Sequence, residues 1–394
     1  MRYAKRMAPY LRAVSEGMLF IGFSIQIVLG ICWMCCNFGQ VQGFGEPDSA
    51  LYAGIFRLLG EKPAVMYLLQ LSAAFLAGYL FLQKLWPAGK GFAVWRCLAL
   101  LTFPFAMQCH LALQPYSLMG TFFLLMLAAL LKIDKRHAVS LSAVAIACAA
   151  LAVALSGVAD ADRREGAGYS FEGALASRFA WPTLWSDLGR YGEELFVIAQ
   201  PVAWEASLSP DNMKLLQETL ESQVGREAAG TYYLQMAETG WEYHAPMVVR
   251  QMGWDALGYA VTPVVFQLQM AGKGYDSYSG RNYEVMRENA PVLTGNYVDY
   301  GCWWFGWALI LCLLSVSAGK LRQEGGREGD EERKALRKKR AVSVAICVLA
   351  SGFLVAALTM RGAGKMDYRE TIAVNELWLA GPLLLVGGKR RKGI

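Results

Sequence analysis

Histidine is scarce. The 394 residues hold only His110, His137 and His244. That count argues against a multi-histidine metal centre, and His137, in the turn IDKRH, reads as a solvated residue. The usual signatures of soluble enzymes are missing too. There is no Walker loop, dinucleotide fingerprint, Gly-x-Ser-x-Gly elbow, His-Glu-x-x-His or pair of Cys-x-x-Cys motifs. Between residues 159 and 299 there is no cysteine, and all nine cysteines lie within or at the edge of apolar blocks, so no disulfide framework is implied. The sequence has no Asn-x-Ser/Thr acceptor site, no internal repeat and no long low-complexity tract. The cysteine and glycosylation patterns suit a bacterial plasma membrane.

What the chain has in excess is apolar sequence. Hydrophobic residues make up 55% of it, gathered into blocks instead of spread at helix or strand periods. A bilayer core needs about 20 apolar residues per helical crossing, and blocks of that length are the pattern of a polytopic membrane protein. Eight crossings are expected, near 17–36, 64–83, 93–109, 116–131, 139–158, 300–319, 341–360 and 372–387. The first block has the basic flank of a signal peptide but no small-x-small cleavage site after it, and is read as an uncleaved helix.

Cations set the orientation. Arg2, Lys5, Arg6 and Arg12, then Lys84, Lys90 and Arg96, then Lys132, Lys135 and Arg136, are assigned to the inside. So are the nine cations from Lys320 to Arg340 and the group Lys389, Arg390, Arg391 and Lys392. The positive-inside rule then puts both termini in the cytoplasm. The expected fold is an all-α polytopic membrane protein in three parts. Residues 1–158 form a five-helix module with a first outside loop at 37–63. Residues 159–299 form a mostly helical extracytoplasmic domain between helices 5 and 6. Residues 300–394 form a three-helix module split by the charged linker 319–340.

The outside domain is acidic, with 18 Asp and Glu against 10 Lys and Arg from 159 to 298, although the whole chain is +6. The sign follows the membrane and gives no reason to invoke nucleic acid. In SPDNMKLLQETLESQVG, a Ser-Pro start at Ser209 and a stop at Gly225 predict a helix. Two apolar stretches interrupt the polar pattern, LFVIAQPVAW (Leu195–Trp204) and ALGYAVTPVVFQLQMAG (Ala256–Gly272). Pro263, Gln267 and Gln269 argue that the second does not cross, leaving an interfacial or re-entrant element or domain core.

Three short segments carry chemistry. In FGEPDSALYAGIFRLLG (Phe44–Gly60), Asp48-Ser49 can cap a helix from about Ala50 to Leu59, with Leu51, Tyr52, Ile55, Leu58 and Leu59 on one side. Glu46 and Asp48 then sit at the outer membrane surface, either as plain cap and solvated acid or as a general base held by a short loop. FPFAMQCHLALQPYSLMGTFF (Phe103–Phe123) is either a polar turn between spans or a hairpin presenting His110, Gln114 and Tyr116 to a site. RGAGKMDYRETIAVNELW (Arg361–Trp378) offers Arg361, Lys365, Tyr368 and Arg369 either to head groups or to a substrate phosphate. Asn375 and Glu376 follow inside an apolar block. An acid there is costly unless it faces protein or water, which marks Glu376 as a functional candidate. In Lys273–Gly301, Tyr278, Tyr297 and Tyr300, with Arg281 and their neighbours, suit either a glycan surface or an aromatic belt.

This order of a first helix, an outside loop with acids and an amphipathic helix, and several short-looped crossings resembles the GT-C class of membrane glycosyltransferases. The resemblance covers about 200 residues. It departs from the class in having eight crossings, a large domain after the fifth helix and no Asp-Glu pair. It implies sugar transfer from a polyprenyl-phosphate donor to a glycan or protein acceptor at the outer face of the membrane, with inversion at the anomeric carbon. Asp48 would be the catalytic base, with Glu46 as second choice. Arg369, with Arg361, Lys365 and Tyr368, would hold the donor phosphate. His110, Gln114, Tyr116, Glu376, Tyr278 and Arg281 would contact substrate. A divalent cation would be able to bridge phosphate and acids, although no cluster of ligands demands one. The rival reading is a non-enzymatic scaffold or subunit of a cell-envelope assembly, in which these residues are dispersed or paired off. A transporter is a weaker third reading, since the apolar blocks hold few charges.

Overall fold

The computed structural model describes residues 2–37, 49–132, 137–155, 171–208, 212–271, 291–323, 330–361 and 372–387. No strand occurs among the described residues. In chain order the helices are α1 (Arg2–Asn37), α2 (Ala50–Leu58), α3 (Pro63–Leu85), α4 (Lys90–Leu101), α5 (Pro104–His110), α6 (Tyr116–Leu130) and α7 (Ala138–Leu155). There follow α8 (Phe171–Phe179), α9 (Leu184–Asp187), α10 (Glu193–Leu208), α11 (Met213–Val224), α12 (Arg226–Ala271), α13 (Pro291–Gln323), α14 (Asp330–Arg361) and α15 (Ile372–Leu385).

Four segments are long and apolar enough to cross a bilayer: Met7–Asn37, Pro63–Leu85, Ala138–Leu155 and Asn296–Ala318. The helices α4 and α5 make a fifth if they are taken as one bent span. Shorter apolar helices run over Tyr116–Leu130, Ala341–Ala356 and Ile372–Leu385. The protein is therefore helical, with several helices of membrane length.

The block 93–109, expected as one straight crossing, is broken. Its two helices meet at 78°. Pro104 is the cause. It has no N–H to continue the ladder, and it holds Phe103 in the extended region at φ −66°, ψ 134°. The carbonyl freed at Thr102 accepts a hydrogen bond from the Tyr297 hydroxyl.

The chain divides into two compact units, one of Met1–Ser156, Thr262–Ala350 and Arg369–Ile394, the other of Gly157–Val261 and Ser351–Tyr368. In the first, α1 lies along α13. Their close approach needs a small residue, and a Cβ on Gly22 would fall 2.1 Å from the Trp304 ring. Tyr300 donates to the Gly22 carbonyl at 2.9 Å, and Phe23 meets Trp304 edge-on. Tyr297, fully buried, packs on Trp33. These two tyrosines thus serve helix packing and not a glycan surface.

Arg96, counted with the inside cations, has partners within the protein. It is buried on α4, and its guanidinium donates at 2.9 Å to the carbonyls of Trp86, Leu384 and Val386. The last turn of a helix leaves carbonyls without partners, and a cation there answers both their hydrogen bonds and the helix dipole. Arg96 thereby fastens the ends of α3 and α15 to α4.

The second unit packs α8 to α11 and the first part of α12 around Leu184, Leu195, Leu216, Leu220, Tyr233 and Met236. The stop at Gly225 is as expected, with the left-handed φ of +83°. The Ser209-Pro210 start lies outside the described residues. In α12 the backbone leaves helical geometry at His244 (φ −130°, ψ 20°), because Pro246 cannot donate to the carbonyl of Glu242. His244 Nε2 meets Asp187 Oδ1 at 3.1 Å, and Arg178 forms a largely buried ion pair with Asp255. The Ala256–Gly272 stretch falls on the end of α12, helical through Ala271.

Candidate functional site

The three chemistry-bearing segments meet around the start of α6. The first arrives through α2. Ser49 is its N-cap, with an extended backbone and a side-chain oxygen that accepts from the Tyr52 N–H at 3.3 Å. The cap is therefore Ser49 and not Asp48. The Ser49 hydroxyl also donates to the Ala154 carbonyl at 3.0 Å, tying the helix start to α7. Of the expected apolar side, Tyr52 is buried while Leu51, Ile55 and Leu59 are partly so. Leu58 points away, 87% exposed. The buried side packs on Met66 of α3, Tyr116 and Met119 of α6 and Leu155 of α7.

A polar relay runs beneath this apolar contact. The Tyr52 hydroxyl donates to Gln70 Oε1 at 3.2 Å, and Gln70 Nε2 donates to the Ala112 carbonyl at 3.1 Å. Burial, and Tyr67 nearby, push the Tyr52 phenol well above the ordinary tyrosine range, so it stays a donor. Gln70 thus links α2 to the turn between α5 and α6. The signal for it in the sequence was a glutamine inside an apolar block.

The second segment supplies α5 and α6. Every residue of α5 is buried. His110 Nδ1 lies 2.8 Å from Ser117 Oγ, across the turn that carries Gln114 and Tyr116, both buried. Thr121, one turn beyond Ser117, bonds back to the Ser117 carbonyl at 2.9 Å. Three residues past Ser117 comes Gly120, on the same face.

The third segment arrives at Gly120. A Cβ there would fall 2.9 Å from Ile372 Cγ2, so the glycine lets α15 close on α6, and it would lie 3.5 Å from Glu376 Oε2, an ordinary contact that places the carboxyl beside this face of α6. Asn375 is fully buried and Glu376 is 2% exposed. Among the described residues, His110 Nε2, Gln108 Nε2, both polar atoms of the Asn375 amide and Glu376 Oε2 have no hydrogen-bond partner. Buried polar atoms are nearly always satisfied, and each one left alone costs about 1–3 kcal/mol. Five such atoms lie on α5 and α15, the helices flanking α6, and water or another molecule's hydrogen-bonding groups would satisfy them. Ser117 and Thr121 were not singled out in the sequence, since a hydroxyl in an apolar helix commonly bonds only its own backbone.

Of the other proposed site residues, Arg361 is the last residue of α14. Glu46, Asp48, Tyr278, Arg281, Lys365, Tyr368 and Arg369 lie outside the described residues. No group of three His, Cys, Asp or Glu side chains able to hold a metal ion occurs among the described residues. No protein-family model, curated protein or solved structure matches this chain.

Proposed function

We propose that this chain is a GT-C-like glycosyltransferase of eight crossings with both termini cytoplasmic. It would move a sugar from a polyprenyl-phosphate donor to a glycan or protein acceptor at the outer face of a bacterial membrane. The observation that supports the reading is the meeting of α2, the α5–α6 hairpin and α15 around the first turns of α6. Those elements come from the three stretches in which the resemblance lies.

In this mechanism Asp48 accepts the proton of the acceptor hydroxyl as its oxygen attacks the anomeric carbon. The bond from that carbon to the phosphate oxygen breaks, its electron pair leaves with the polyprenyl phosphate, and configuration inverts. Arg369, Arg361, Lys365 and Tyr368 hold the phosphate and stabilise the charge growing on it. The orphan atoms of Asn375, Glu376 and His110 offer both donors and acceptors to sugar hydroxyls. The test is release of polyprenyl phosphate by the reconstituted protein from an extract of lipid-linked sugars. Turnover that falls at least tenfold in Glu376→Gln and His110→Ala supports the reading.

The burial of His110 and Glu376 favours one other reading, a non-enzymatic subunit whose polar cluster only fixes helix packing. It predicts no turnover in the same assay and a lower melting temperature for both variants.

A further inference from the structure

We propose that the outward face of α10 docks on the lipid bilayer at head-group level. Val197, Pro201, Trp204 and Leu208 follow at spacings of four, three and four residues, which places them in one stripe along the helix. All four are exposed, Trp204 at 58% and Leu208 at 61%. Trp185 of α9, also exposed, meets Trp204 edge-on at 5.6 Å and widens the stripe. The opposite side of α10 already fills the core of its unit with Leu195, Ile198, Ala199, Ala203 and Ala206. A helix on the surface of a water-soluble domain needs one apolar side. This helix has two, which is what the apolar stretch LFVIAQPVAW encodes.

Three observations select lipid as the occupant. The stripe lies between two candidate membrane spans in the chain, Ala138–Leu155 before it and Asn296–Ala318 after it, so it is tethered at both ends to helices of membrane length. Tethering makes contact with the bilayer an intramolecular event with a high effective concentration. The side chains are those of the interface, with two indoles amid small aliphatic groups. The charges of α10 are Glu193, Glu194 and Glu205, with no Lys or Arg, so apolar insertion and not attraction to anionic lipid drives the contact. A second protein is disfavoured by size. Five side chains expose on the order of a few hundred Å², against about 800 Å² per partner in a stable protein interface.

Photo-crosslinking of the full chain in phosphatidylcholine vesicles tests this. p-Benzoylphenylalanine replaces Val197 or Leu208, and Glu227, exposed on α12, serves as control. Phospholipid adducts at 197 and 208 and none at 227 are expected. A crosslink to a second copy or to another protein, or no lipid adduct at either position, overturns the proposal. Dibrominated phosphatidylcholine reads the native side chains independently. The tryptophan emission removed by the Trp185→Phe, Trp204→Phe double substitution should come from the quenched component, and a loss confined to the unquenched component contradicts docking.

Discussion

Replacing Arg96 by methionine tests the packing of the helices around the site. The substitution keeps a long apolar stem and removes the guanidinium. It leaves the buried Val386 carbonyl and the partly buried carbonyls of Trp86 and Leu384 without this donor. Each such loss costs about 1–3 kcal/mol, while release of a buried cation from its desolvation gives part of that back. The net expectation is a loss of about 2–5 kcal/mol. At about 2.1 cal/mol/K of unfolding entropy per residue, 394 residues give a shift of about 1.2 °C per kcal/mol, so melting should fall by about 2–6 °C. A thermal scan in mild detergent, followed by helix signal, measures it. Arg96→Lys should lose roughly half as much, because one ammonium serves fewer of the three carbonyls at once. If Arg96→Met melts within about 1 °C of wild type, the carbonyls have other partners and the clamp argument is wrong.

Three further outcomes follow from other parts of the fold. Ser49→Ala should cost about 1 kcal/mol, because it removes the cap of α2, and should loosen α2 without unfolding the rest; protease sensitivity between α1 and α3 reports it. Gly240→Ala should destabilise the second unit by about 2–4 kcal/mol, since its Cβ would fall 2.2 Å from the Phe179 carbonyl oxygen, a backbone atom that cannot swing away; hydrogen exchange in α8 and α12 would show it. Burial pushes the phenols of Tyr191 and Tyr233 up, helped by Asp187 beside the first and Glu221 beside the second. They stay protonated in the folded unit when unfolded tyrosine ionises near pH 10, so the stability they contribute is complete below about pH 10 and is lost as pH rises beyond it. Circular dichroism across that range should show alkaline loss of the second unit, reduced in Tyr233→Phe.

The sequence was most legible where local chemistry decides. Asp48-Ser49 before an apolar periodic run and Gly225 after one mark helix ends because capping is a property of a few neighbouring atoms, although which of the first two is the cap came only with the structure. Apolar blocks became helices for the same reason, since backbone groups in an apolar setting must bond within their own segment. The break at Pro104 was readable in principle but was overridden by the length of the apolar block. The partners of Arg96 were not legible, because they lie on helix ends up to 290 residues away, and only tertiary structure shows that a cation near a span is serving carbonyls instead of water. Tyr297 and Tyr300 were ambiguous for a similar reason. Both lie in an aromatic-rich stretch, and what separates them from a surface belt is the glycine on α1 that lets the helices close. Glu376 was flagged because an acid in an apolar block has few harmless places to be. That Gly120 lets Ile372 close on α6, which brings Glu376 beside it, could not be read from either segment alone.

Transfer by Asp48→Asn, measured beside stability, tests the central claim most directly. Ser49 keeps its cap bond to the Tyr52 N–H in this variant, and Asn caps about as well as Asp, so melting should stay within about 1 °C of wild type. Loss of general-base assistance should lower the rate of sugar transfer by about 10²–10⁴-fold, while Glu46→Gln stays near wild type. Transfer at the wild-type rate by both variants, with a donor the wild type uses, would contradict a carboxylate base in this loop and leave the scaffold as the account of the fold.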